Sequence, residues 1–161
     1  MHLTRLLPAL LALALLPACS RDKEAHDHGH AAGAHGHSHV APHGGTAVLL
    51  GDHAYHLELV QDAQAGLLTA YVLDGHMEQF IRVAQPTLLI EVEAGGKTEL
   101  LTLEAVANPA TSETVGDTSQ FQARAEWLKQ TPAWSGRVRS VSVRGSTFEN
   151  VAFRLSQGNE S

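Results

Sequence analysis

The chain has 161 residues, 43% of them hydrophobic and 17% charged, which is enough for one modest core and too little for a large multidomain enzyme. Eleven Lys and Arg stand against 17 Asp and Glu, a formal charge of -6, so a basic surface for a phosphate backbone is missing and nucleic acid is not expected as a partner. Histidine is the outlier. There are 11 copies, and six of them crowd between His26 and His39 in a stretch with no hydrophobic periodicity to bury them.

Met1 to Arg5 carries one basic residue, and Leu6 to Leu16 is an apolar run of the length of a secretion-signal h-region. A bilayer span would need roughly 20 apolar residues. The run ends in Leu16-Pro17-Ala18-Cys19, which holds the only cysteine of the chain. This segment resembles the lipobox of bacterial lipoproteins, in which the cysteine is lipidated and becomes the mature N-terminus. The resemblance implies a signal peptide over 1–18, a lipid on Cys19 that ties the protein to a membrane, and a place in the bacterial cell envelope facing the periplasm. Ser20 in place of Asp then implies the outer membrane. A lone cysteine cannot make an internal disulfide, so the exported domain has to be held by its own core.

Residues 19–42 are polar and rich in Ala, Gly and His, the composition of a flexible tether. His26, His28 and His30, then His35, His37 and His39, place a histidine at every second position. Neutral imidazole binds Zn, Cu, Ni and Co, and the small spacers let several rings gather around one ion. A merely solvating linker has no need of histidine.

From His43-Gly44-Gly45 onward the pattern changes to short hydrophobic runs of period two, broken by Gly, Pro, Asp and Asn, which predicts an all-β domain over 43–161. Strands are expected at Thr46–Leu50, Ala54–Gln61, Leu67–Asp74, Gln79–Val83, Thr87–Ala94, Thr98–Val106, Ser119–Ala125, Arg137–Arg144 and Thr147–Leu155. Runs of this number and length fit a two-layer antiparallel β-sandwich of Ig-like type. The polar loop Ala107 to Thr118 is expected to cross between its sheets. Ala125 to Gln130 is expected to add a helical turn that covers an open end with Trp127 and Leu128. Alternation points Tyr55, Leu57 and Leu59 into the core and His56 and Glu58 to the opposite face. It likewise points Leu88, Ile90 and Val92, and Val151, Phe153 and Leu155, inward.

The titratable chemistry gathers at the front of this domain. A hairpin between Ala54–Gln61 and Leu67–Asp74 carries Asp74 and His76 back toward His53 and His56, and the His43 segment enters near the same end. Three or four N and O donors there would suit a Zn or Cu(II) site, with His43 and His56 as first ligands and Glu58 or His76 completing it. The competing reading is a set of ordinary polar residues on a sheet face.

His43-Gly44-Gly45, His56-Leu57-Glu58-Leu59-Val60 and Tyr71-Val72-Leu73-Asp74, with Ser119-Gln120-Phe121 and the Gly136-Arg137-Val138 strand before Gly145, resemble a small periplasmic β-domain found in bacterial lipoproteins and near heavy-metal efflux components. The resemblance implies a metal connection, an efflux adaptor as partner, and His43, His56 and Glu58 as site residues. Together these readings predict an envelope lipoprotein that binds a divalent transition metal, Zn or Cu first and Ni or Co next, for buffering or delivery to an efflux partner. The alternative is a non-enzymatic interaction or scaffold module of the envelope whose histidines are incidental or sense pH. An enzyme is not expected, since G-x-S-x-G, H-E-x-x-H and phosphate-loop motifs are missing.

Overall fold

The computed structural model of the chain describes residues 40–94 and 96–156, all within one compact unit, His37–Ser161. The expected signal peptide, Cys19 and the six tether histidines lie outside the described residues. Eight strands follow one another: β1 Thr46–Leu50, β2 Tyr55–Asp62, β3 Leu67–Asp74, β4 Thr87–Ala94, β5 Lys97–Ala105, β6 Gln120–Arg124, β7 Ala133–Val143 and β8 Ser146–Ser156. A short 3-10 turn, Glu126–Lys129, sits between β6 and β7. The all-β, antiparallel architecture expected from the alternation is present.

The strands form one sheet in the order β1-β2-β3-β6-β5-β4-β7-β8, where two separately bonded sheets had been expected. The joins that make it continuous are β3 with β6 and β5 with β6. The sheet curls until β1 and β8 lie beside each other. Tyr55 and Phe148 meet edge to face across that seam, with ring centroids 6.1 Å apart. Two walls of a curled sheet enclose a core as the two layers of a sandwich do, which is why the alternation looks the same for both.

Inward-facing side chains follow the predicted parity. Leu57, Leu88, Ile90 and Val92 are fully buried, and Leu59 and Leu155 nearly so, while Tyr55, Val151 and Phe153 pack against them from the margin. At about 25 cal/mol per Å2 of apolar surface removed from water, each such aliphatic side chain contributes roughly 1.5–3 kcal/mol. Leu128 and Trp127 of the 3-10 turn cover one end as expected, with Trp127 and Trp134 edge to face at 5.3 Å. Arg139 pairs with Glu91 of β4 at 2.6 Å, an ion pair across neighbouring strands.

Two further expectations change. Gln79–Val83 does not form a strand. It touches β3 through a single bridge, Leu73 to Phe80, then leaves for another, Val83 to Thr118. Ile81 and Val83 are still buried, so the alternation reported burial, but the segment crosses from one neighbour to the next before a ladder can grow. The loop after β5 does not cross between sheets either. It leaves β5 and returns as β6 to the same partner, with Ala105 opposite Phe121, after bridges from Asn108 to Glu113 and from Thr114 to Asp117.

One irregularity was invisible to period-two reading. The β4–β7 register shifts between Leu89 and Ile90, whose partners are Ser140 and Val138, so Arg139 is the extra residue of a bulge. That is how Val138 and Val141, three positions apart, both face the core. Nearby, Gly136 is enclosed: a Cβ there would stand 2.8 Å from Phe153 Cζ and 2.9 Å from the Glu91 carbonyl oxygen. Gly136→Ala is expected to lower stability by about 1–3 kcal/mol, read as an earlier urea midpoint at unchanged slope. An unshifted midpoint would mean that β7 has more room than this packing allows.

Candidate functional site

The outer face of β2 and β3 would ordinarily meet water. Here it is covered, because residues 41–45 fold back over it before entering β1. Ala41, Leu73 and Met77 form a second apolar cluster on this face, so Glu58 is fully buried and His56 is 5% exposed although both point away from the main core. The chain bends at Ala41-Pro42-His43-Gly44 through a bond from the Gly44 amide to the Ala41 carbonyl, 3.0 Å. Proline suits the second position of such a turn because its φ is already set.

Glu58 holds the bend in place. Its Oε1 accepts the backbone N–H of His43 at 2.7 Å and of Gly45 at 3.0 Å, and its Oε2 lies 2.8 Å from His43 Nδ1. Both oxygens of a buried carboxylate are thus used, and charge-assisted bonds of this kind are about twice as strong as neutral ones. The close approach requires glycine at position 45, where a Cβ would fall 2.6 Å from the Leu59 carbonyl oxygen and 2.9 Å from Glu58 Cγ.

For the carboxylate to accept at Oε2, the His43 ring must carry its proton on Nδ1. Nε2 is then the nitrogen with the lone pair. The ring stacks on Tyr71 with centroids 4.0 Å apart and planes 12° from parallel, and Phe80 completes an aromatic corner at 5.8 Å from His43 and 5.9 Å from Tyr71. Burial first, and then the negative charge of Glu58, push the Tyr71 phenol above its ordinary value of 10.0. Facing this corner is the loop between β5 and β6, and the two enclose a cleft of about 310 Å3 whose other wall includes Glu113, Ser119 and Gln120.

The remaining expected ligands lie elsewhere. His56 Nδ1 is 3.3 Å from the Asp74 carbonyl oxygen, and its ring centroid is 6.3 Å from that of His53. His76 stands in the turn after β3, whose Asp74 Oδ1 accepts the amides of Glu78 at 2.9 Å and Gln79 at 3.3 Å. Burial would raise the Asp74 pKa, but the amides of Glu78, Gln79 and His76, with the charge of His76, outweigh it and hold it below 3.8. A lowered carboxylate pKa stabilises the fold fully above the ordinary value, and that contribution is lost as pH falls through the lowered one.

The predicted site therefore resolves into a joined pair, His43 with Glu58, and separate residues: His56 beside His53 and the Asp74 carbonyl, and His76 in the turn that follows Asp74. Among the described residues, no set of three or more His, Cys, Asp or Glu side chains is arranged to hold a metal ion. One donor suits the role: with Nδ1 of His43 2.8 Å from Glu58 Oε2, a neutral ring that donates there presents Nε2 to a ligand, while Glu58, with both oxygens occupied, orients it. Alternation does mark Tyr71, which shares the outward parity of Leu73 on β3. Glu113 sits in a polar loop where period-two reading has no purchase.

Glu58→Gln is expected to cost about 1–3 kcal/mol, because one carboxamide cannot accept from two amides and the imidazole together. Urea unfolding should show the loss, and the Gly45 amide should exchange with solvent faster than in the parent. Unchanged stability and exchange would mean that the bend does not depend on this carboxylate. Comparison with protein-family models, curated proteins and solved structures finds no match for this chain.

Proposed function

We propose that this chain is a lipid-anchored protein of the bacterial cell envelope that faces the periplasm and binds divalent transition metal, Zn or Cu in the first place and Ni or Co next, for buffering or delivery to an efflux partner. The observation that carries the reading is the state of His43. It is the first histidine after the tether, and a buried carboxylate lies 2.8 Å from its Nδ1, an arrangement that in the neutral ring leaves Nε2 to donate. Carboxylate–histidine pairs of this kind orient metal-binding rings and raise their basicity.

In this reading the tether supplies the capacity. His26, His28, His30, His35, His37 and His39 offer imidazoles a few residues upstream of His43, close enough in sequence to share an ion with it. Each imidazole is a weak ligand on its own, so an ion passes between them by stepwise exchange, and protons leave as it binds because only neutral imidazole coordinates. Handing the ion on to a partner follows the same exchange, with His43 as the ring that a carboxylate of β2 orients.

Calorimetric titration of the full chain with Zn and Cu tests this against two variants, His43→Ala and a chain with all six tether histidines changed to Ala. The six-fold change is expected to remove most of the binding capacity, and His43→Ala to weaken the tightest site by about tenfold or more. Binding should also weaken between pH 7.5 and pH 5, since free imidazole titrates near about 6.5. Affinity no better than about 100 μM for the full chain, roughly 5.5 kcal/mol, would overturn the metal reading in favour of an interaction module.

A further inference from the structure

We infer that the cleft between the aromatic corner and the β5–β6 loop is a binding site for an organic cation with a primary ammonium head, either a free amine or a lysine side chain of a partner. The first ground is Glu113, a loop carboxylate only 6% exposed that lines the cleft. Its Oε1 takes all of its contacts: the Ser119 hydroxyl at 2.7 Å, the Ser119 amide at 3.2 Å and Arg82 Nε at 3.6 Å. Oε2 makes no hydrogen bond among the described residues. That oxygen faces water, and a donor entering the cleft can take the water's place.

The second ground is the opposite wall. Phe80 is 48% exposed, so its ring is open to a guest, and it stands at an angle to the stacked pair of His43 and Tyr71. Aromatic faces set around an opening attract cations through their negative π-clouds, and the attraction grows when the cation is partly removed from water. An uncharged apolar guest would fill the corner but displace water from Oε2 without replacing its hydrogen bond.

Charge around the cleft agrees. Arg82 is the cation beside Glu113, and it is shared, since it also pairs with Asp117 at 2.9 Å and donates to the Thr111 carbonyl. Two carboxylates and one guanidinium leave a negative charge at this wall, and the charge of Glu58 lies behind the other. A primary ammonium fits both halves: its three N–H donors can reach Oε2 and the neighbouring polar groups, and its alkyl stem lies against Phe80. The cleft, at about 310 Å3, suits a short chain and not a large drug-like ligand.

The inference does not rest on the metal reading and is tested in the presence of chelator. The 15N-labelled full chain is titrated by NMR with n-butylammonium, with n-pentanol as uncharged control and with Nα-acetyl-lysine amide as a lysine presented as a partner would present it. Saturable shifts are expected at the amides of Tyr71, Phe80 and Ser119 with both amines and not with the alcohol. Phe80→Ala and Glu113→Gln should each weaken binding by about tenfold or more. Tighter binding of the lysine amide would point to a partner side chain, and equal binding to a free amine. Equal binding of pentanol, unchanged affinity in both variants, or no saturable shift would each overturn the proposal. Phe80 is a surface residue, so its variant and the alcohol control decide the matter even if Glu113→Gln fails to fold.

Discussion

A carboxylate buried on the outside of a β-sheet has to be answered by donors, and at Glu58 the donors come from the chain's own entry segment. The amides of His43 and Gly45 and the His43 ring satisfy it together. Leaving such a group unmet would cost more than any one of these bonds returns, so the bend at Ala41–Gly44, the cover over β2 and the orientation of His43 form one linked unit. Without the bend, Leu73 and Met77 would lose Ala41 from their cluster and Tyr71 its stacked partner. The geometry of the candidate site follows from meeting this one charge.

The curled sheet gives that unit a firm base. β2 is paired on both sides, with β1 and β3, and its inner face carries Leu57 and Leu59 into the core. Burial on both faces is unusual for a strand whose sequence alternates as cleanly as Tyr55-His56-Leu57-Glu58-Leu59. Here it arises because the polar positions are covered by the backbone of the entry segment and by Ala41, Leu73 and Met77, where a sheet or helix would ordinarily lie. Glu58, set on this doubly buried strand, is held more precisely than a loop side chain would be, which is what orienting the His43 ring from the adjoining bend requires.

Much of this was legible in the residues and some of it was not. Inward parity at Leu57, Leu88 and Leu155 could be read directly, because alternation and burial have the same physical cause. The hairpin of β2 and β3 brought Asp74 opposite Tyr55, near the end where His56 lies, as its length implied. Local pattern does not reveal how many sheets the strands make, since that depends on which edges meet: β6 alone joins β3 to β5. The bulge at Arg139 escapes for a similar reason, as a skipped position looks like a lapse in alternation. At the site, proximity in sequence grouped His43 with His56, but strand register separates them. Thr46 pairs with Leu59, so the entry segment runs alongside Glu58 and beyond, while His56 lies toward the other end of the strand beside Asp74.

The account turns on the proton of His43. In the neutral ring, 15N NMR of the imidazole in the full chain at neutral pH distinguishes the two tautomers by the shifts of their protonated and unprotonated nitrogens. The structure predicts that His43 carries its proton on Nδ1, with a slowly exchanging N–H and an unprotonated Nε2, and that the pattern shifts toward the free-histidine tautomer mixture in Glu58→Gln. A His43 ring protonated on Nε2, or one averaging between tautomers in the parent chain as free histidine does, would contradict the claim that Glu58 sets the ring for ligation.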